Sequence, residues 1–454
     1  MSFNPEYTDP LQEAILACAR PLEGGEHDYD ALFEMIGDAR IVMLGEATHG
    51  TDEFYRERAA ITRRLIEEKG FHAVAVEADW PDAWRVNRHV RGQGDDAGAA
   101  EALSGFRRFP TWMWRNSVMV EFVDWLRGHN AAIGSDRRPA GFYGLDLYSL
   151  FTSIDEVLHY LDGVDPEAAD RARERYACFD HFREDSQLYG YTAGAGLLDE
   201  TCEQVVAMQL RDLRQRVAAS EAGRGRHATH SDEHFYAEQN ARLVVNAEQY
   251  YRSMYESRVS SWNLRDQHMA ETLDALAQHL EKVNGEPAKI AVWAHNSHIG
   301  DARATQMGWI GEWTVGQLAR QRYGDDAVLI GFTTYSGTVT AASRWDGPAE
   351  CKHVRPGMPG SYERIFHDVG LPRFWLPLRD CGLENHPQFR QKLERAIGVI
   401  YLPHSERQSH YFDASLPAQF DAVIHIDDTR ALEPLERLAP VHDAEPPETF
   451  PEGF

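Results

Sequence analysis

A set of short, almost unbroken apolar runs limits this chain more than any other feature. They are RIVML (40–44), HAVAVE (72–77), AGFYG (140–144), KIAVWA (289–294), AVLIGF (327–332), GVIYLP (398–403) and DAVIHI (421–426). A strand with one wet face alternates apolar and polar residues. A run without that beat has both faces buried, as in a parallel sheet covered by helices on each side. Helical spacing fills most of the gaps between the runs. The sequence therefore predicts an α/β fold, a mostly parallel sheet flanked by helices.

Residues 150–285 break the rhythm, because they hold no such run. VVAMQLRDLRQRVAA and MAETLDALAQHLEKV instead place apolar residues three and four apart. A large helical insertion between two sheet strands is the economical reading, with the polar stretch 221–234 as an exposed loop inside it. The expected division is an N-terminal part of the α/β core at 1–149, a helical insertion subdomain at 150–285 and a C-terminal part of the core at 286–436. A flexible acidic tail, 437–454, is expected to follow. At 454 residues the chain exceeds one ordinary core.

The formal charge of −26 argues against a nucleic-acid or anionic-membrane partner. No stretch approaches the roughly 18 apolar residues of a membrane span, and the N-terminus lacks the marks of a secretory signal. Five scattered cysteines with no C-x-x-C pair read as reduced, mostly buried thiols, which suggests a cytoplasmic protein. Oligomeric state leaves no mark on the sequence.

In open α/β sheets ligands bind beyond the carboxyl ends of the strands, and here those ends carry many polar residues. Glu46 and His49 follow the first run, Glu77 ends the second, and Asp146 ends the third. His295, His298, Asp301 and Arg303 follow the fourth; His404, Arg407 and His410 follow the sixth; Asp427, Asp428 and Arg430 follow the last. Such convergence predicts one shared site. Thr51 is placed to cap a helix whose apolar stripe contains Phe54, Ile61 and Leu65, with Arg58 on the same stripe. A buried guanidinium needs a partner, and Glu46, Glu77 or a substrate oxyanion would serve. The alternative is an arginine that snorkels to water or makes a structural bridge.

LGEATHGTDEFYRER, AVAVEADW and AHNSHIGD together resemble motifs of the erythromycin esterase family. FPTWMWRN, GLDLYSL, WNLRDQHMAETL, GSYERIFH and ERQSHYF are similar to further family segments, so the resemblance runs from about residue 10 to about 435. It implies a sheet flanked by helices with the insertion beside a deep active-site cleft. It also implies that His49 is a general base for hydrolytic water, and that Glu46, Glu77, Arg58, His295 and His298 line the site. The substrate does not transfer with the motifs.

Elementary chemistry agrees with water attack on an ester or macrolactone. An imidazole takes a proton from water near neutral pH, a carboxylate fixes its tautomer, and cationic groups face the developing oxyanion. The expected catalytic set is His49 as base, Glu46 and Glu77 as orienting groups, and His295 and His298 as polarising or acid groups. Arg58, Asp146, Trp112, Arg265 and His410 are expected to bind the substrate, a small-molecule ester or lactone. Arg265 and Asp266 are helical neighbours about 100° apart, so at most one is expected to reach the site. No G-x-S-x-G elbow occurs, which leaves Ser297 a poor nucleophile.

No cofactor is expected. One rival reading gives the Glu46, His49, Glu77, His295 and His298 cluster to a divalent metal. A second makes the chain a non-catalytic binder of polyketide or carbohydrate, stacking its ligand on Trp112, Trp114, Tyr148, Trp262 or Tyr411.

Overall fold

The computed structural model describes residues 9–435 apart from 135–137, 184–185, 196, 198–200, 222–227, 255–257 and 380. The expected tail and the middle of the expected loop at 221–234 lie outside the described residues. Eleven strands occur among them: β1 (Arg20–Pro21), β2 (Ile41–Leu44), β3 (Ala73–Asp79), β4 (Gly141–Asp146), β5 (Ile290–Trp293), β6 (Ala327–Ala341), β7 (Glu350–Val354), β8 (Arg373–Pro377), β9 (Lys392–Arg395), β10 (Tyr411–Ala414) and β11 (Ala422–Thr429).

Nine of these form one sheet in the order β1-β8-β11-β6-β2-β5-β3-β4, with β7 paired to the far half of β6. The six strands from β11 to β4 run parallel. β8 and β1 close one edge antiparallel, and β9 pairs with β10 in a separate ribbon. The fold is α/β with a mostly parallel sheet flanked by helices.

The unbroken apolar runs have the expected physical cause, since alternate residues enter two different cores. Ile41, Met43, Ala73, Ala75, Ile290 and Val292 face one, while Val42, Leu44, Val74, Val76, Ala291 and Trp293 face the other. The first core is completed by helices between β4 and β5. Ile154 and Val157 come from the helix Leu150–Val164, Leu243 from Ala228–Ser253, and Leu273 and Leu276 from Arg258–Asn284. The second is completed by Phe54, Ile61 and Leu65 of the helix Asp52–Lys69 and by Phe122 and Leu126 of Ser117–Ala132. The inserted helices thus share one continuous core with the sheet.

Three expectations need correction. GVIYLP forms no strand. It is a loop held to Ala342 by a single bridge at Ile400, with the Ile397–Thr48 bridge just before it. Tyr401 packs into a small core with Val339, Ala341 and Val354 and does not join a ladder. The loop expected at 221–234 is helical from Ala228 onward. Of the five cysteines, Cys18 pairs with Cys381 and Cys178 with Cys202, their Cα atoms 6.3 and 5.9 Å apart, and only Cys351 is free and exposed. Disulfides persist in oxidising compartments, so the cysteines no longer support a reducing one. Among the described residues no helix is long and apolar enough to cross a membrane.

Candidate active site

β2, β3, β4 and β5 are parallel neighbours, so the segments leaving them emerge at one edge of the sheet. After β2 the chain turns from Gly45 to Gly50, pressed between β5 and β6. A Cβ on Gly45 would lie 2.1 Å from Asn296 Oδ1, and one on Gly50 would lie 1.8 Å from the Thr340 carbonyl oxygen. Asn296 fixes the other side, donating from its backbone N–H to the Glu46 carbonyl at 2.8 Å and from Nδ2 to the Phe332 carbonyl at 2.7 Å. The two glycines are there because nothing larger fits.

That turn delivers Glu46 and His49 to a buried triad. His49 Nδ1 lies 2.9 Å from Glu46 Oε1, and Arg58 Nη2 donates to Glu46 Oε2 at 2.7 Å. Arg58 is fully buried, and its Nε and Nη1 have no hydrogen-bond partner among the described residues. Aromatic faces take their place: the guanidinium carbon sits 4.3 Å from the Tyr55 ring centroid and 5.1 Å from that of Trp293. Tyr55 Oη donates to the His49 carbonyl at 3.0 Å. With Nδ1 facing a carboxylate, the Nδ1–H tautomer is favoured and Nε2 is left as the acceptor.

A second cluster gathers around Glu77, at the end of β3. Arg265 Nη2 donates to Glu77 Oε1 at 2.8 Å and to Asp146 Oδ2 at 2.6 Å, while its Nε reaches Asp146 Oδ1 at 3.0 Å. Glu77 Oε2 accepts the backbone N–H of His295 at 2.8 Å. Burial alone would raise the Glu77 carboxyl. His298, Arg265, His49 and the His295 N–H outweigh it and hold the group well below the usual carboxylate range. Glu77 is a fixed anion.

His298 stacks on Trp262 with centroids 4.5 Å apart, and its Nδ1 lies 2.9 Å from Asp266 Oδ2. Its Nε2 sits 3.1 Å from Arg265 Nη1 and 3.5 Å from Glu77 Oε1. Burial opposes a charge on this ring, but the Asp266 and Glu77 carboxylates prevail and its pKa is raised.

His295 behaves oppositely. Its Nδ1 accepts the Ser297 N–H at 3.2 Å and lies 2.8 Å from Ser297 Oγ. Its buried Nε2 has no hydrogen-bond partner among the described residues. Burial, and after it the neighbouring His49, hold its pKa well below the ordinary imidazole value. His295 is therefore a neutral ring that carries its proton on Nε2. Its centroid lies 4.8 Å from that of His49.

A cavity of about 170 Å³ opens onto these groups. Of the expected residues, His49, Glu77, Asp146, Arg265, His295 and His298 line it. Glu46 and Arg58 stand behind His49, so Arg58 is placed to hold Glu46 and not to touch a substrate. Trp112 does not line the cavity. The short turn Thr111–Met113 tucks its ring into the core against Phe109, 5.4 Å away, and gives the wall to Met113 and Trp114. His410 is also elsewhere. Its Nε2 accepts the Leu402 N–H at 3.1 Å and burial lowers its pKa to about 4, so as a neutral ring it braces the 396–402 loop.

Arg265 lines the cavity and Asp266 does not, in keeping with the helical-wheel expectation; Asp266 stands behind His298, 2.9 Å from its Nδ1. His298 sits between the two side chains, so neighbours 100° apart each meet it from a different side. Sequence reasoning missed Arg108, Phe109, Trp345 and Val399 on the cavity wall. The aromatic and basic density of FRRFPTWMWRN was a signal for the first two; nothing marks the others.

The lone pairs a metal would need are largely engaged. Both Glu46 oxygens, both Glu77 oxygens and both His298 nitrogens meet protein groups. Among the described residues no set of three or more histidine, cysteine or acidic side chains is placed to hold an ion.

The erythromycin esterase family model matches residues 66–429. An erythromycin esterase type II of Escherichia coli is 24% identical over 418 residues, covering 88% of this chain and 92% of its own. A solved succinoglycan biosynthesis protein superposes with a TM-score of 0.72 at 21% identity, covering 95% of this chain and all of its own. A mutant erythromycin esterase in its open conformation gives a TM-score of 0.65 at 17% identity over 91% of this chain and 96% of its own.

Proposed function

The chain belongs to the erythromycin esterase family, and from that premise we propose that it hydrolyses a carboxylic ester or lactone by activating water on His49. The observation that carries this reading is the chain Arg58–Glu46–His49, which holds Nδ1 and leaves Nε2 as the base beside the neutral His295.

The reaction follows from these roles. Water gives a proton to His49 Nε2 while its oxygen attacks the carbonyl carbon. The carbonyl oxygen becomes an oxyanion facing His298, whose raised pKa favours a charged ring on the cavity wall. The carbon–oxygen bond to the leaving alcohol breaks, and the imidazolium of His49 returns the proton to the alkoxide. Glu77, ionised and clamped by Arg265, steadies the positive charge that grows on the histidines. We assign no metal, because Arg58, Arg265 and Asp266 already engage Glu46, Glu77 and His298, three of the five groups an ion would draw on. Activity should survive exhaustive chelation.

The test is mass-spectrometric detection of water addition across simple esters and macrolactones. His49→Ala and His49→Asn are expected to lower turnover by roughly 10²- to 10⁴-fold with an unchanged melting profile. Full activity in either variant would discard His49 as the base. Saturable binding with no turnover by the wild type would favour a binding protein.

A further inference from the structure

Resting on the hydrolase reading above, we infer that the substrate is a neutral ester carrying a compact aromatic group, and not a macrolactone. Size points this way first. The cavity of about 170 Å³ falls below the roughly 300 Å³ at which pockets for drug-sized ligands begin, and a macrocycle with its sugars is larger than that.

Shape points the same way. Away from the histidines the wall includes the rings of Phe106, Phe109, Trp114 and Trp345. Phe109 and Trp345 are 4.9 Å apart and inclined at 60°, and Phe106 and Trp114 are 6.0 Å apart at 38°. These rings pack on one another and together give the cavity an apolar, aromatic side against which a flat guest can lie.

Charge completes the argument. The cations on the wall already have partners: Arg265 holds Asp146 and Glu77, Arg108 holds Asp79 at 2.9 Å, and His298 is 2.9 Å from Asp266. A carboxylate on the substrate would lose water and find no free counter-charge, which costs several kcal/mol. The acids held by these arginines give a cationic guest no better reception.

The test compares kcat/KM for methyl benzoate, phenyl acetate, methyl acetate and a macrolactone, with calorimetric binding of N-methylbenzamide as an arm that needs no turnover. The wild type should prefer an aromatic ester over methyl acetate by at least about tenfold, the discrimination a fitted apolar pocket supplies, and leave the macrolactone intact. Trp345→Ala and Phe109→Leu should each reduce that ratio about tenfold and weaken N-methylbenzamide binding. The ratio is independent of how much protein is folded. Equal or better cleavage of methyl acetate or the macrolactone would overturn the substrate assignment and leave the hydrolase standing. Benzamide binding without hydrolysis of any ester would sustain the cavity assignment and sink the hydrolase. Absence of both would sink both.

Discussion

A charge sealed from water is only as secure as its partner, and Arg58 shows what that means for a catalytic histidine. It touches no solvent, yet it holds Glu46, and Glu46 holds His49. Arg58→Met would leave a buried carboxylate without its counter-ion. The expected cost is roughly 3–5 kcal/mol in denaturant unfolding, with a parallel loss of turnover as Glu46 takes up a proton and releases His49. A variant as stable and active as the wild type would make the pair dispensable.

Glu394 supplies the opposite case, a buried acid without a cation. Burial, and after it the nearby Glu363, lift its pKa from the ordinary 4.5 to about 8. The unfolded chain sheds this proton near 4.5 and the folded protein keeps it to about 8. The folded state thus binds more protons in that window, and stability falls as pH rises through it. The slope contributed is up to about 1.4 kcal/mol per pH unit, and it vanishes above about pH 8. Glu394→Gln should flatten the decline in Tm across that window; an unchanged slope would contradict it.

At this scale much of the site was legible. Glu46, His49, Glu77, Asp146, His295 and His298 stand where parallel strands end, and strand ends can be found from apolar runs. Trp112 and His410 misled because a short turn and a loop set their direction, and neither has a period to read.

Elements decide whether such residues meet. The turn from Gly45 to Gly50 positions Glu46 and His49, and it fits only because two Cβ atoms are missing. Gly50→Ala would drive a methyl into the Thr340 carbonyl, a backbone atom that cannot swing away. Displacing His49 by about 1 Å is enough to cost roughly 10²-fold in turnover, while overpacking costs about 1–3 kcal/mol. A large fall in kcat with a modest fall in Tm is the expected pattern, and wild-type kcat would show that the turn has slack.

The helix Arg258–Asn284 contributes from the other side, bringing Arg265 and Asp266 around His298. The sequence revealed the helix but not that pincer, because a helical wheel gives the directions of side chains and not what lies between them. The strands split similarly. Those in the parallel core announced themselves by length and apolar content. β7, β8, β9 and β10 pair at edges or in a ribbon, where mixed polarity hides them. GVIYLP had a strand's composition but no neighbouring ladder with room for it.

On the scale of the whole molecule, two layers of helices seal both faces of the sheet and leave its carboxyl edge as the place where polar groups converge. The surface around that edge belongs to a chain with formal charge −26. Such a field does nothing to bond making, but it lowers the local concentration of anions at the cavity mouth. The Debye length is about 30 Å at 0.01 M salt and about 8 Å at 0.15 M, so the repulsion reaches across the entrance in dilute buffer and is largely screened near physiological salt. Methyl benzoate and its para-carboxylate analogue present the same ester and ring and differ in one charge. The neutral ester should have the higher kcat/KM at both salts. Its advantage should shrink several-fold from low to physiological salt, because only the carboxylate's share depends on the long-range field. The part that persists reports the missing counter-charge inside the cavity, where Arg265 and Arg108 are already engaged. An advantage that ignores salt would assign all discrimination to the cavity, and no advantage at any salt would show that a cation on the wall can be released to meet an anionic substrate.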